Sequence, residues 1–145
     1  MVKGLLIKEA TKGAQIINTN GLDDYYKIIK CSYIDIQEYE VGGKYYSFIY
    51  DDEFIYNGKT YTTVVDKTGN PMIAGNVYIC GQADEEGADT SLTVEDIENI
   101  KKHLVMVQFD NGKFGSMLQI DKSIYEIQHE GEDMYARLDM EVIHI

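Results

Sequence analysis

Apolar positions divide the chain into many short β-like runs and two helix-like ones. Residues 2–8 and 14–18 are compact apolar runs that predict two strands, joined by a loop containing Lys12 and Gly13. In GLDDYYKIIK the period lengthens. Leu22, Tyr25, Tyr26 and Ile29 fall at i, i+3, i+4 and i+7, the stripe of a short core-facing helix, with Asp23 and Asp24 near its positive N-terminal end. That spacing assigns the tyrosines to packing before any role as an aromatic ligand platform.

From Cys31 onward the pattern turns to strands. CSYIDIQEYEV and KYYSFIY, rich in β-branched and aromatic residues, flank Gly42 and Gly43, which can supply the positive φ of a tight hairpin. EFIY and KTYTTVV about Asn57-Gly58 predict a second hairpin. Gly69-Asn70-Pro71 then turns the chain into MIAGNVYIC, Met72 to Cys80, which is apolar on both faces and predicts one central strand of interior scaffold. Gly75 within it marks a bulge or the close approach of another element.

After Gly81 the loop QADEEGADTS leads to Thr93, whose hydroxyl can cap a helix with Asp96 three residues on, a variant of the capping box. Val94, Ile97, Ile100 and Leu104 form the buried stripe of that helix, and Lys101, Lys102 and His103 suit its negative end. LVMVQFD and KFGSMLQI about Asn111-Gly112 give a third hairpin, and SIYEIQH with MYARLDMEVIHI a fourth, its last strand alternating buried and wet positions. The fold class is therefore α+β: mainly antiparallel sheet made of hairpins, with two main helices at about 22–30 and 94–104.

A chain of 145 residues fits one domain with a real core, and 44% hydrophobic with 26% charged residues is ordinary for a folded soluble protein. No apolar run approaches the roughly 18 residues that span a bilayer. The opening MVKGLLIKEATKG has too short an apolar stretch for a secretory leader, so a cytoplasmic location is expected. Cys31 and Cys80 lie in apolar segments without a CxxC or CxH neighbour, which predicts reduced, buried thiols and no zinc site.

Charge changes the picture most. The formal net charge of -12, with Arg137 as sole arginine, argues against direct contact with nucleic acid or anionic membranes, which need clustered cations. The scarcity of Arg, Pro and Trp beside abundant Ile, Lys, Asn and Tyr is also what an AT-rich genome would give.

In this order, KGLLIK, GLDDYYKIIKCSYIDI, VGGKYYSFIYDDE, GNPMIAGNVYICG and SLTVEDIENIKKHL resemble a small bacterial family known as domain of unknown function 3846. The resemblance covers residues 1–104, the family-like domain, and leaves 105–145 as a β-rich extension expected to pack on the same domain. It implies no activity and no catalytic residues. It does imply a setting in phages and mobile elements, whose small acidic proteins often inhibit host defence.

Catalytic chemistry has little to stand on. His103 ends a helix, and the turn at 130–133 pairs His129 with Met134 while leaving His144 far along its strand. No GxSxG elbow, HExxH helix or Walker loop is present, so no enzyme activity and no cofactor are expected. The clusters Asp51-Asp52-Glu53 and Asp84-Glu85-Glu86 lack the alternating ligands of an EF-hand, and no metal is assigned to them.

Binding readings remain. In the first, exposed acids and neighbouring tyrosines, Asp51, Asp52, Glu53, Asp84, Glu85, Glu86, Tyr45 and Tyr56, meet a basic protein partner such as a nucleic-acid-binding host protein, carboxylates standing where phosphates would. The alternative is a small-molecule protein that sequesters a nucleotide signal, which would need cations to compensate the phosphates. A homodimer is a third expectation, with the C-terminal strand pairing with its copy to cover a sheet edge.

Overall fold

In a computed structural model the protein is described over residues 1–54 and 61–123 and through the backbone of residues 143–144. Among the described residues ten strands and two helices occur in the order β1 (Val2–Ile7), β2 (Gln15–Thr19), α1 (Leu22–Ile29), β3 (Ile34–Val41), β4 (Lys44–Asp51), β5 (Thr62–Val65), β6 (Pro71–Ala74), β7 (Val77–Gly81), α2 (Val94–Lys101), β8 (Leu104–Gln108), β9 (Phe114–Gln119) and β10 (Ile143–His144). The fold is α+β, and its strands form two five-stranded sheets.

The first sheet has the order β2-β1-β7-β4-β3 and is antiparallel throughout. The second has the order β10-β8-β9-β5-β6, with one parallel pair between β5 and β9. The main core draws on both sheets and α2: Leu5 and Ile7 of β1, Phe48 of β4 and Ile79 of β7 meet Val64, Met72, Ile73, Leu118, Ile97 and Ile100. On the other face of the first sheet, α1 lays Tyr25 and Ile29 over Leu6, Ile49, Tyr78 and Cys80.

The predicted single strand at residues 72–80 is two strands in two sheets. β6 stands at an edge of the second sheet, where Pro71 can open a strand without needing an N–H, and β7 is the centre of the first. Gly75, at φ +85, and Asn76 carry the chain from one to the other. The Asn76 side chain fixes the joint: its Oδ1 accepts the Glu9 N–H at 3.0 Å and its Nδ2 donates to the Ile28 carbonyl at 3.1 Å. In β7, Val77 and Ile79 enter the main core while Tyr78 and Cys80 face α1, which is why the run reads as apolar on both sides. Every residue of Met72–Ala74 and Val77–Cys80 is fully buried, so the segment is interior scaffold.

The first and third hairpins form as predicted, at Gly42-Gly43 and at Asn111-Gly112. For the second, Glu53 lies in a turn and Phe54 in 3-10 conformation, so neither is strand, β5 pairs with β6 and β9, and the Asn57-Gly58 turn lies outside the described residues. The fourth hairpin, with His129, Arg137 and the turn at 130–133, also lies outside them, apart from β10, which pairs with β8 of the same chain.

In both helices the buried stripe is shorter than the periodicity predicts. Leu22 and Val94 each open the first turn and are 54% and 67% exposed, because the sheet is reached only by residues further along. Leu104 belongs to β8: the tight turn closed by His103 N–H on the Ile100 carbonyl ends α2 before it.

Candidate functional site

The predicted contact residues fall into two groups, and the register of β4 decides which. Tyr46 pairs with Gly81, so the loop after β7 with Asp84, Glu85 and Glu86 lies at the Tyr45 end of β4. Asp51 closes the opposite end, with Asp52 and Glu53 in the turn that follows. Six residues of extended chain separate Tyr45 from Asp51, about 20 Å. Tyr56 lies outside the described residues.

Two of these acids build their own loops. Asp84 Oδ1 accepts the N–H groups of Glu86 and Ala88, both at 2.9 Å, and Asp51 Oδ1 accepts that of Glu53 at 2.9 Å. Fully buried Asp66 makes the same turn, its Oδ1 accepting the N–H groups of Thr68 and Asn70. In both loops a left-handed glycine, Gly69 or Gly87, follows three residues after the aspartate. Asp52, Glu53, Glu85 and Glu86 project into solvent.

Sequence reasoning passed over the residues that join the two groups. Among the described residues β3 is an edge strand of the first sheet, paired along all eight residues to β4, and it carries Asp35, Glu38 and Glu40. Glu40 sits opposite Tyr45 and Glu38 opposite Ser47 on one face of the strand, while Asp35, opposite Tyr50, belongs to the other face and accepts the Tyr50 hydroxyl at 3.0 Å. Lys44 is the sole cation of β3, β4 and their turn. The signal was present as three acids in the strand-like IDIQEYEV, but which strand becomes an edge is not written in its own residues.

Lys44 is neutralised from below. Its Nζ lies 2.7 Å from Asp96 Oδ1, which also accepts the Tyr46 hydroxyl at 3.1 Å, while Asp96 Oδ2 accepts the Thr93 N–H in the capping box of α2. Burial pushes the Asp96 carboxyl up, but the Lys44 ammonium and the donors of Thr93 and Tyr46 outweigh it and hold it below the usual carboxylate range. Asn99 Nδ2 donates to the Val41 carbonyl and the Tyr46 hydroxyl, both at 2.9 Å.

The β3–β4 turn is gripped from the other sheet. Asp121, just after β9, accepts the Gly42 and Gly43 N–H groups on its two carboxylate oxygens, each at 2.9 Å, and its own N–H donates to the Glu40 carbonyl at 2.8 Å. Across the sheet, Tyr25 of α1 donates to Asp89 and so holds the end of the 82–89 loop against the helix. Burial, with that hydrogen bond to a carboxylate, pushes the Tyr25 hydroxyl up.

No group of three or more His, Cys, Asp or Glu able to hold a metal occurs among the described residues, and no helix among them is long and apolar enough to cross a membrane. The family model described as domain of unknown function, DUF3846, matches residues 2–105. The chain belongs to that family. Comparison with curated proteins and with solved structures gives no match. In this DUF3846 chain the matched span supplies the first sheet, both helices, and β5 and β6 of the second sheet, whereas β9, Leu118, Ile120 and the Asp121 clamp follow it.

Proposed function

We propose that this DUF3846 chain is a non-catalytic accessory protein that binds a basic protein partner in the bacterial cell through the acidic edge formed by β3 and its flanking loops. The observation that carries the reading is that exposed Glu38 on β3 is flanked by exposed Glu85 and Glu86 in the loop at the Tyr45 end of β4 and by exposed Asp52 and Glu53 in the turn at its other end, while Lys44, the cation of that hairpin, is paired with Asp96. Tyr45, 40% exposed opposite Glu40, adds an amphipathic contact of the kind enriched at interfaces. Carboxylates so placed attract a surface built for phosphates, which makes a nucleic-acid-binding host protein the fitting partner class. The phage or mobile-element setting implied by the resemblance gives that contact a purpose, the inhibition of a host defence factor.

The test is retention of host proteins on immobilised wild-type chain and on the double variant Glu38→Lys, Glu85→Lys. The reading expects a specific basic protein held by the wild type, released between about 0.1 and 0.5 M salt as screening shortens the reach of the charges, and absent from the variant. Equal retention by both proteins, or retention indifferent to salt, defeats it.

A further inference from the structure

We infer that β3 is a strand-addition site: the partner's contact is an extended basic segment that continues the first sheet beyond this edge. The inference rests on the proposed acidic-edge function and specifies how that edge is read.

The ladder shows which backbone groups are open. Asp52 N–H donates to the Tyr33 carbonyl at one end, and a two-residue turn closes the Val41–Lys44 pair at the other. Antiparallel pairs alternate in hydrogen bonding, so residues 33, 35, 37, 39 and 41 face β4 while 34, 36, 38 and 40 turn their N–H and C=O groups outward. Two outward groups are already engaged. Asp35 Oδ1 accepts the Ile36 N–H at 2.9 Å, and the Glu40 carbonyl accepts the Asp121 N–H. Among the described residues no hydrogen bond is made to the N–H or C=O of Glu38, which is exposed, or to the N–H of Glu40.

Side chains at the same positions define the occupant. Strand geometry puts Ile34, Ile36, Glu38 and Glu40 on the α1 face, where Ile34 joins the α1 cluster and Ile36 is 44% exposed. An added strand would therefore set an apolar residue beside Ile36 and Lys or Arg beside Glu38 and Glu40. A second copy of this chain does not fit, since edge-to-edge pairing would bring these carboxylates against their own kind between two molecules of net charge -12. The opposite edge, β2, is five residues without charge and selects no partner.

The probe is a synthetic ten-residue peptide of Val and Thr with Lys at two alternate positions, to stand beside Glu38 and Glu40, and Val at the next alternate position, beside Ile36, compared with a peptide of the same composition whose lysines are contiguous. Strand addition predicts at least tenfold tighter binding of the alternating peptide and at least tenfold slower amide exchange at Glu38 and Glu40 in its presence. Glu38→Pro removes an outward N–H and leaves the β4 ladder intact, a position where edge strands tolerate proline, and should weaken the alternating peptide at least tenfold. If the proline variant misfolds, the amide-exchange comparison of the two peptides on the wild-type chain carries the test by itself.

Equal binding of the two peptides without amide protection would overturn strand addition and leave the acidic-edge function standing. No binding of either peptide overturns strand addition as well. A host partner retained in a salt-dependent way by Glu38→Pro as by wild type sinks this inference alone.

Discussion

Lys44 Nζ stands 2.7 Å from Asp96 Oδ1, and the two ends of this ion pair differ sharply in exposure, 60% for the lysine side chain against 6% for the aspartate. The asymmetry assigns the work. Asp96 is a buried hub that caps α2 and ties it to β4, while Lys44 is a surface cation held in place.

Asp96→Ala is expected to cost about 2–4 kcal/mol at pH 7, since it removes a capping box and orphans buried donors, whereas Lys44→Ala costs under about 1 kcal/mol. The pH dependence has a definite sign. A carboxyl held below its unfolded value of about 3.9 stabilises the fold above that pH and loses the contribution as pH falls through the folded value. The gap between wild type and Asp96→Ala should therefore narrow below pH ~4, as read by chemical denaturation at pH 7, 4 and 3.

Gly42 and Gly43 are adjacent, and both have positive φ, +58 and +86. A Cβ at Gly42 would overlap the Asn99 side-chain oxygen and press on the His103 ring, whereas one at Gly43 meets nothing within 4 Å. Gly43→Ala should cost about 1 kcal/mol of left-handed strain. Gly42→Ala should cost about 2–3 kcal/mol, because the Asn99 hydrogen bonds to Val41 and Tyr46 must also shift. Equilibrium unfolding of the two variants side by side measures the difference.

The two cysteines should be inert in the native state. Burial, with Asp51 nearby, pushes the Cys31 thiol up to about 11, and burial, with Asp89 nearby, pushes Cys80 up to about 12. At pH 8 iodoacetamide should label both at least ~100-fold more slowly in native protein than in denaturant, where thiols titrate near 8.5. Because the folded values are raised, this contribution to stability is complete below about pH 8.5 and is lost as pH rises through the folded values.

A chain ending at residue 105, the limit of the family match, should not fold cooperatively. It lacks Leu118 and Ile120 of the main core, the parallel partner of β5, and the Asp121 clamp on the β3–β4 turn. Losing two buried aliphatic side chains alone costs about 4–10 kcal/mol, comparable with a domain's total stability of roughly 5–15. A sigmoidal thermal transition of the 1–105 chain by circular dichroism would contradict this.

Much of this architecture is legible locally. The Thr93–Asp96 capping box, the Gly42-Gly43 and Asn111-Gly112 hairpins and the α1 stripe at Tyr25 and Ile29 are written in residues three or four apart, because turns and caps are satisfied by near neighbours. The acidic loops were equally plain, yet their separation to opposite ends of β4 was not, since it follows from the pairing of Tyr46 with Gly81 across 35 positions of chain. Periodicity also misplaced Leu22 and Val94: a stripe marks a helix face and does not say where along it the sheet begins.

The sequence by itself determined the two helices, the first and third hairpins, the net charge, the family, and that Met72 to Cys80 lies inside. Only the tertiary structure decided that this run breaks at Gly75 and Asn76 to serve two sheets, and that β3 with Asp35, Glu38 and Glu40 stands at an edge among the described residues. The reason is physical. A residue's preference for burial or for extended backbone is carried by its own atoms, whereas which strand finds a neighbour depends on hydrogen bonds and packing contributed by residues far away in the chain.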